Sequence, residues 1–157
     1  MFVYSVKASS LRFFSIVFLS VMLLAALIIF VPTYEPITAE ASGTVSFDDV
    51  KTNEDRINFL SQFGWKALIE PYEKEEVTIP RKFDAVFTGY NEIQKLQGLD
   101  LSKYKGKEVT RYTYIIENYP DYEGRVYANI LVYKNKVIGG DICSAAANGF
   151  VKTFEGK

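Results

Sequence analysis

Near the C-terminus, the run Gly139-Gly140-Asp141-Ile142-Cys143-Ser144 sets a carboxylate two residues from the only thiol in the chain. In an extended strand, positions i and i+2 share a face, so Asp141 and Cys143 are expected to project together. The two glycines ahead of them let a backbone or a ligand approach closely. The chemistry on offer is a thiol site with an acidic neighbour. A carboxylate raises the pKa of an adjacent thiol, however, and the chain has no histidine to deprotonate it. The residue types therefore favour a small buried thiol at a bulged strand end, with Asp141 capping a turn, over a nucleophile.

The lack of histidine also removes Ser-His-Asp and Cys-His arrangements, histidine-ligated zinc and the HExxH motif. Glu73, Glu75 and Glu76 are close enough in sequence for acid–base work or calcium. Their spacing is not that of a calcium loop, and glycosidase carboxylates normally face each other across a larger cleft. They read as a solvated hairpin tip. No catalytic, cofactor-binding or metal-ligating residue is assigned, and neither a cofactor nor a metal is expected.

Six tyrosines, Tyr112, Tyr114, Tyr119, Tyr122, Tyr127 and Tyr133, are denser than a small core requires. Exposed together on one sheet face, they would make a flat platform for a peptide, a glycan strand or a partner domain. Packed beneath a helix, they would simply be core. Tyr112, Tyr114, Tyr127 and Tyr133 are the candidate platform. Lys103, Lys105 and Lys107 alternate around Tyr104 and Gly106, either facing water or touching an anionic lipid or wall polymer.

These residues must be positioned by an α+β domain. Thr52 with Asp55 three residues on forms a variant capping box. Ile57, Leu60 and Phe63 line one side of the helix it opens, and Gly64 closes it. Residues 65–70 and 75–79 read as a hairpin around Pro71. Pro80 opens a second helix with an apolar face of Phe83, Val86, Tyr90, Ile93 and Leu96, ending at Gly98. Three strands follow at 107–118, 125–133 and 136–143, with Lys134-Asn135 as the tight turn. The expected order is α-β-β-α-β-β-β: an antiparallel sheet of about five strands with both helices on one face.

Before this domain, residues 13–31 (FFSIVFLSVMLLAALIIFV) make an apolar run. As a helix it is roughly 28 Å long, enough to cross a bilayer. Lys7 and Arg12 precede it, and all 19 acidic residues follow it. The positive-inside bias then leaves a cytoplasmic tail (1–12), a single transmembrane helix (13–31), a linker (32–50) and an extracytoplasmic domain (51–157). Cleavage after Ala41 is the competing reading, but the run is longer than a signal peptide's apolar region. Beyond the run the charge is mixed and faintly acidic, which gives nucleic acid no basic face to bind.

The stretches MFVYSVKAS, RINFLSQFGW, EVTIPRKFDAVFTGYNEIQKLQGLDLSKYKGKEVTRYTY and NILVYKNKVIGGDICS resemble a family of Gram-positive, mostly clostridial, membrane-anchored proteins, domain of unknown function 4830. The resemblance implies a bacterial cell-membrane protein with an extracytoplasmic domain. It supplies no activity and so no site residues. The expected function is a binding or interaction module without catalysis, held at the membrane by its N-terminal helix, with a protein or cell-wall partner. The alternatives are a regulatory subunit of an envelope complex, or a small envelope enzyme using Asp141 and Cys143.

Overall fold

Thr52 opens the first helix, α1 (Asn53–Ser61), as its spacing predicts. Its hydroxyl accepts from the Asp55 amide at 3.1 Å, and the Asp55 carboxylate accepts from the Thr52 amide at 2.7 Å. The Thr52 amide, with that of Lys51 donating at 2.9 Å, holds the Asp55 carboxyl below its usual range. Gly64, at φ +82°, turns the chain out of the helix. The structure, a computed structural model, describes residues 45–146 and 148–156. The expected transmembrane helix at 13–31 and the tail before it lie outside the described residues, as does most of the linker. Among the described residues, no helix is long and apolar enough to cross a membrane.

Five strands form one antiparallel sheet in chain order: β1 (Glu73–Thr78), β2 (Glu108–Ile116), β3 (Val126–Tyr133), β4 (Lys136–Ser144) and β5 (Val151–Lys152). Lys134 and Asn135 both have positive φ, 49° and 62°, which is the two-residue type I′ turn that joins β3 to β4. The second helix, α2 (Ala85–Leu96), begins later than Pro80, because Asp84 caps it by accepting from the Phe87 amide at 2.7 Å.

The order is therefore α-β-α-β-β-β-β, which corrects the expected first hairpin. Residues 65–70 form no strand; Ala67 makes one bridge to Ile116, while Glu73 pairs with Thr113. Both segments lie along the same edge of β2, and the extra residues between them bulge outward around Pro71, which has no N–H to give to a ladder. That bulge exposes Leu68, Ile69 and Tyr72.

The helices also lie on opposite faces of the sheet, not on one. Ile130 packs with Tyr114, Ala128, Phe59 and Leu60 on the α1 side. Its neighbour Leu131 packs with Val109, Ile138 and Phe87 on the α2 side. A strand that is apolar at both parities needs cover on both faces. The end of the stretch expected to be linker belongs to the domain too. Val50 is buried, its amide donates to Asn135 O at 2.8 Å, and the Val137 amide donates to Phe47 O at 2.8 Å.

α2 turns a different side to the sheet from the one its periodicity predicts. Asn91 and Gln94 are buried, whereas Val86 and Leu96 are 82% and 81% exposed. The polar pair is held by fixed backbone partners. The Leu101 amide donates to Asn91 Oδ1 at 2.8 Å, and the Gly140 amide donates to Gln94 Oε1 at 2.8 Å. A buried amide with such partners escapes the desolvation penalty that hydropathy alone would assign it.

Candidate functional site

The glycine pair admits neighbours from this same chain. Val132 pairs with Val137 and Leu131 with Gly139, so Ile138 is the extra residue of a β-bulge. A Cβ on Gly139 would stand 2.9 Å from Leu101 Cδ2. One on Gly140 would run into the Asn129 carbonyl and the Phe154 ring, and the backbone there sits at φ +153°. The glycines thus let Phe154 and the α2 side close on β4 from its two faces.

Beyond them the register aligns Thr113, Asn129 and Asp141 in one row across β2, β3 and β4. Thr113 Oγ1 donates to Asn129 Oδ1 at 2.8 Å, and Asn129 Nδ2 donates to Asp141 Oδ2 at 3.0 Å. The Tyr90 hydroxyl, reaching down from α2, donates to Asp141 Oδ1 at 2.7 Å. Asp141 is 5% exposed and caps no turn. Its surroundings raise its pKa through burial, against the hydrogen bonds from Tyr90 and Asn129. Burial, with the carboxylate beside it, raises the Tyr90 phenol well above its usual range.

Cys143 does share the Asp141 face, and Asn129 Nδ2 lies 3.4 Å from its Sγ. Burial first, and then the Asp141 carboxylate, push the thiol up to about 12. The thiolate at neutral pH is then scarcer than the thiol by about five orders of magnitude. Native Cys143 is expected to react with iodoacetamide at pH 8 roughly 50-fold more slowly than free cysteine, with urea restoring the rate. Mass spectrometry of a time course measures this; equal native and unfolded rates would contradict the burial argument.

Between α2 and the β1–β2 edge lies a cleft of about 290 Å³, with Val77, Ile79, Phe87 and Leu131 in its walls and Arg111 and Asp141 among its polar groups. Arg111 donates to Glu73 at 3.1 Å and to Glu75 at 2.6 Å, and its Nε has no hydrogen-bond partner among the described residues. Glu76 accepts from Thr110 Oγ1 at 2.9 Å. The three glutamates are solvated, but they lie along the edge strand β1 and not at a hairpin tip. A larger hollow of about 450 Å³, where Asp48 pairs with Lys136 at 2.8 Å, lies between residues 45–48, 98–100 and 136–138, away from all of these groups.

The four platform tyrosines separate onto the two faces. Tyr114 is wholly buried under α1, where its hydroxyl donates to Asn53 Oδ1 at 2.7 Å and accepts from Arg56 Nε at 2.8 Å. Tyr112 is on that same face, its ring centre 3.8 Å from the Arg56 guanidinium carbon. Tyr133 packs on Tyr104 at 5.7 Å on the α2 side. Tyr119 stacks between Trp65 and Phe150, with Tyr122 edge-on to Phe150. Tyr127 alone stands in the row beyond Asp141, beside Ile115 and Cys143.

That row is part of neither core cluster and continues into Val151, which is half exposed. Tyr72, 58% exposed, lays its ring 5.3 Å from that of Tyr127. Reading the sequence for strands missed Tyr72. The signal that finds it is Pro71, whose missing N–H interrupts the ladder along β2 immediately before Tyr72 and leaves the residues beside it bulged outward.

No curated protein matches the chain, and no solved structure does. A family described as "Domain of unknown function (DUF4830)" matches residues 59–142, from the buried half of α1 to the end of the Asp141 row on β4. That match takes in more than half of the chain, including α2, the cleft and the polar row. The chain belongs to the family Domain of unknown function (DUF4830).

Proposed function

We propose that the protein is a membrane-anchored, extracytoplasmic binding module that performs no chemistry itself and takes a protein partner on the open half of its sheet. The observation that carries this reading is the exposed Tyr72 lying against the half-buried Tyr127, side by side on a sheet face that α2 covers only in part. In the same row lie Ile115 and Val151, and the amide of the exposed Leu68 donates to the Ile115 carbonyl. Exposed aliphatic groups together with tyrosine suit a protein surface, whereas a glycan would need more polar donors for its hydroxyls.

The neighbouring polar row supports binding over catalysis. Asp141 has both oxygens engaged, and the Cys143 thiol is held in its protonated form. The anchor and the outward orientation rest on residues 13–31 and on the placement of Lys7 and Arg12 before them. Full-length protein should capture a partner from detergent-solubilised membranes of its own cells, and Tyr72→Ala with Tyr127→Ala should reduce capture at least about tenfold. Glu54→Ala, on the α1 side, should leave capture unchanged. Equal capture by all three proteins would remove the aromatic pair from the interface.

A further inference from the structure

The outward flank of α2 is apolar. At about 100° per residue, Ala85, Val86, Gly89, Ile93 and Leu96 fall in one arc, away from the buried Asn91 and Gln94. Lys95 falls about 180° from Val86. At the N-terminal end of the same helix, two basic segments converge. The Arg81 side chain lies against Gly106, and Lys105 Nζ sits 4.5 Å from the Phe83 ring centre. Arg81, Lys82, Lys105 and Lys107 are all exposed, and none of the four is in an ion pair among the described residues.

We infer that α2 lies on the bilayer that anchors the chain, with its apolar flank against the lipid and the basic group against anionic headgroups. This rests on the anchored reading above. An apolar arc beside a cationic rim is the pattern of a helix that settles at a membrane interface. The tether is long enough to permit this contact. From Val31 to Val45 the chain reaches at most about 50 Å, well beyond the length of α2; Val45 lines the same hollow as Gly98 and Leu99, and the adjoining Ser46 amide donates to Gln62 at the end of α1. A short tether holds the bilayer at a high effective concentration, so a small contact suffices. A second copy of the chain fits less well. A stable pair needs roughly 800 Å² from each partner, and one arc of a helix about 18 Å long offers far less.

The test uses full-length protein in vesicles of phosphatidylcholine and phosphatidylglycerol, in a Cys143→Ser background. A nitroxide is attached through Val86→Cys or Lys95→Cys, with oxygen and a nickel chelate as relaxing agents on both sides of the membrane. The ratio of oxygen to nickel accessibility should be at least about threefold higher at 86 than at 95. It should fall toward the value at 95 when phosphatidylglycerol is omitted; a ratio indifferent to headgroup charge overturns the part given to the basic group. Equal, water-like values at both positions, with the protein resisting alkaline extraction, overturn the docking and leave the anchor standing. Protein released by alkali defeats the anchored reading itself. Spin–spin broadening with position 86 shielded from both agents shows a second copy there, which also overturns the inference.

Discussion

Gly140→Ala is expected to destabilise the domain by about 3 kcal/mol or more, seen as a lowered urea midpoint for the full-length protein in detergent. Two effects add at this position. The backbone sits at φ +153°, where a Cβ is strained, and the new methyl meets the Asn129 carbonyl and the Phe154 ring. Neither neighbour yields easily. Asn129 is a ladder residue of β3, and the wholly buried Phe154 packs edge-on against Phe59 at 5.0 Å while its carbonyl accepts from Trp65 Nε1 at 2.5 Å. Gly64→Ala is the matched comparison, with φ +82° but nothing within 4 Å of the added Cβ. It should cost about 1 kcal/mol. If the two substitutions prove equally damaging, close packing at Gly140 is not what requires a glycine.

The second large effect is expected at Asp141. Asp141→Ala leaves the Tyr90 hydroxyl and one Asn129 amide hydrogen without their acceptor in a buried site, a loss of about 2–3 kcal/mol near pH 4. The loss should shrink as the pH rises. Burial raises the folded-state pKa of Asp141 above its unfolded value, so the folded protein binds this proton more tightly than the unfolded chain does. Native stability therefore falls as pH rises between the ordinary carboxylate value and the raised one, and the alanine variant lacks that slope. Paired urea titrations across this range measure the difference. A gap that widens toward neutral pH would mean that the carboxylate is stabilised in its charged form.

Local chemistry made much of this fold legible. Thr52 and Asp55 mark the start of α1 because a capping box is complete within four residues. Lys134-Asn135 marks the β3–β4 turn because two residues between strands leave few alternatives. The failures needed information from distant residues. Nothing local says that β1 joins β2 across α2, because Glu73–Thr78 carries only Val77 as an apolar side chain. The two residues of β5 are too few to show a period.

The buried face of α2 departs from its apolar period for a related reason. Gln94 is buried because the Gly140 amide needs an acceptor, a requirement set by a strand 46 positions away. At the site, the shared face of Asp141 and Cys143 followed from strand period alone. The split among the tyrosines follows from the same period. Tyr112 and Tyr114 lie at one parity of β2, and the register carries Tyr127 to the other face. Burial of Tyr114 depended on α1 lying above it, which spacing within β2 does not encode.

The Tyr72–Tyr127 surface is expected to meet a protein partner at the membrane. A photoreactive phenylalanine in place of Tyr127, in the full chain in its own cells, should crosslink to a discrete protein on illumination. The same group in place of Glu54, on the opposite side of the sheet, should give no adduct. Adducts of equal yield from both positions, or none from position 127 while the protein resides in the membrane, would contradict it.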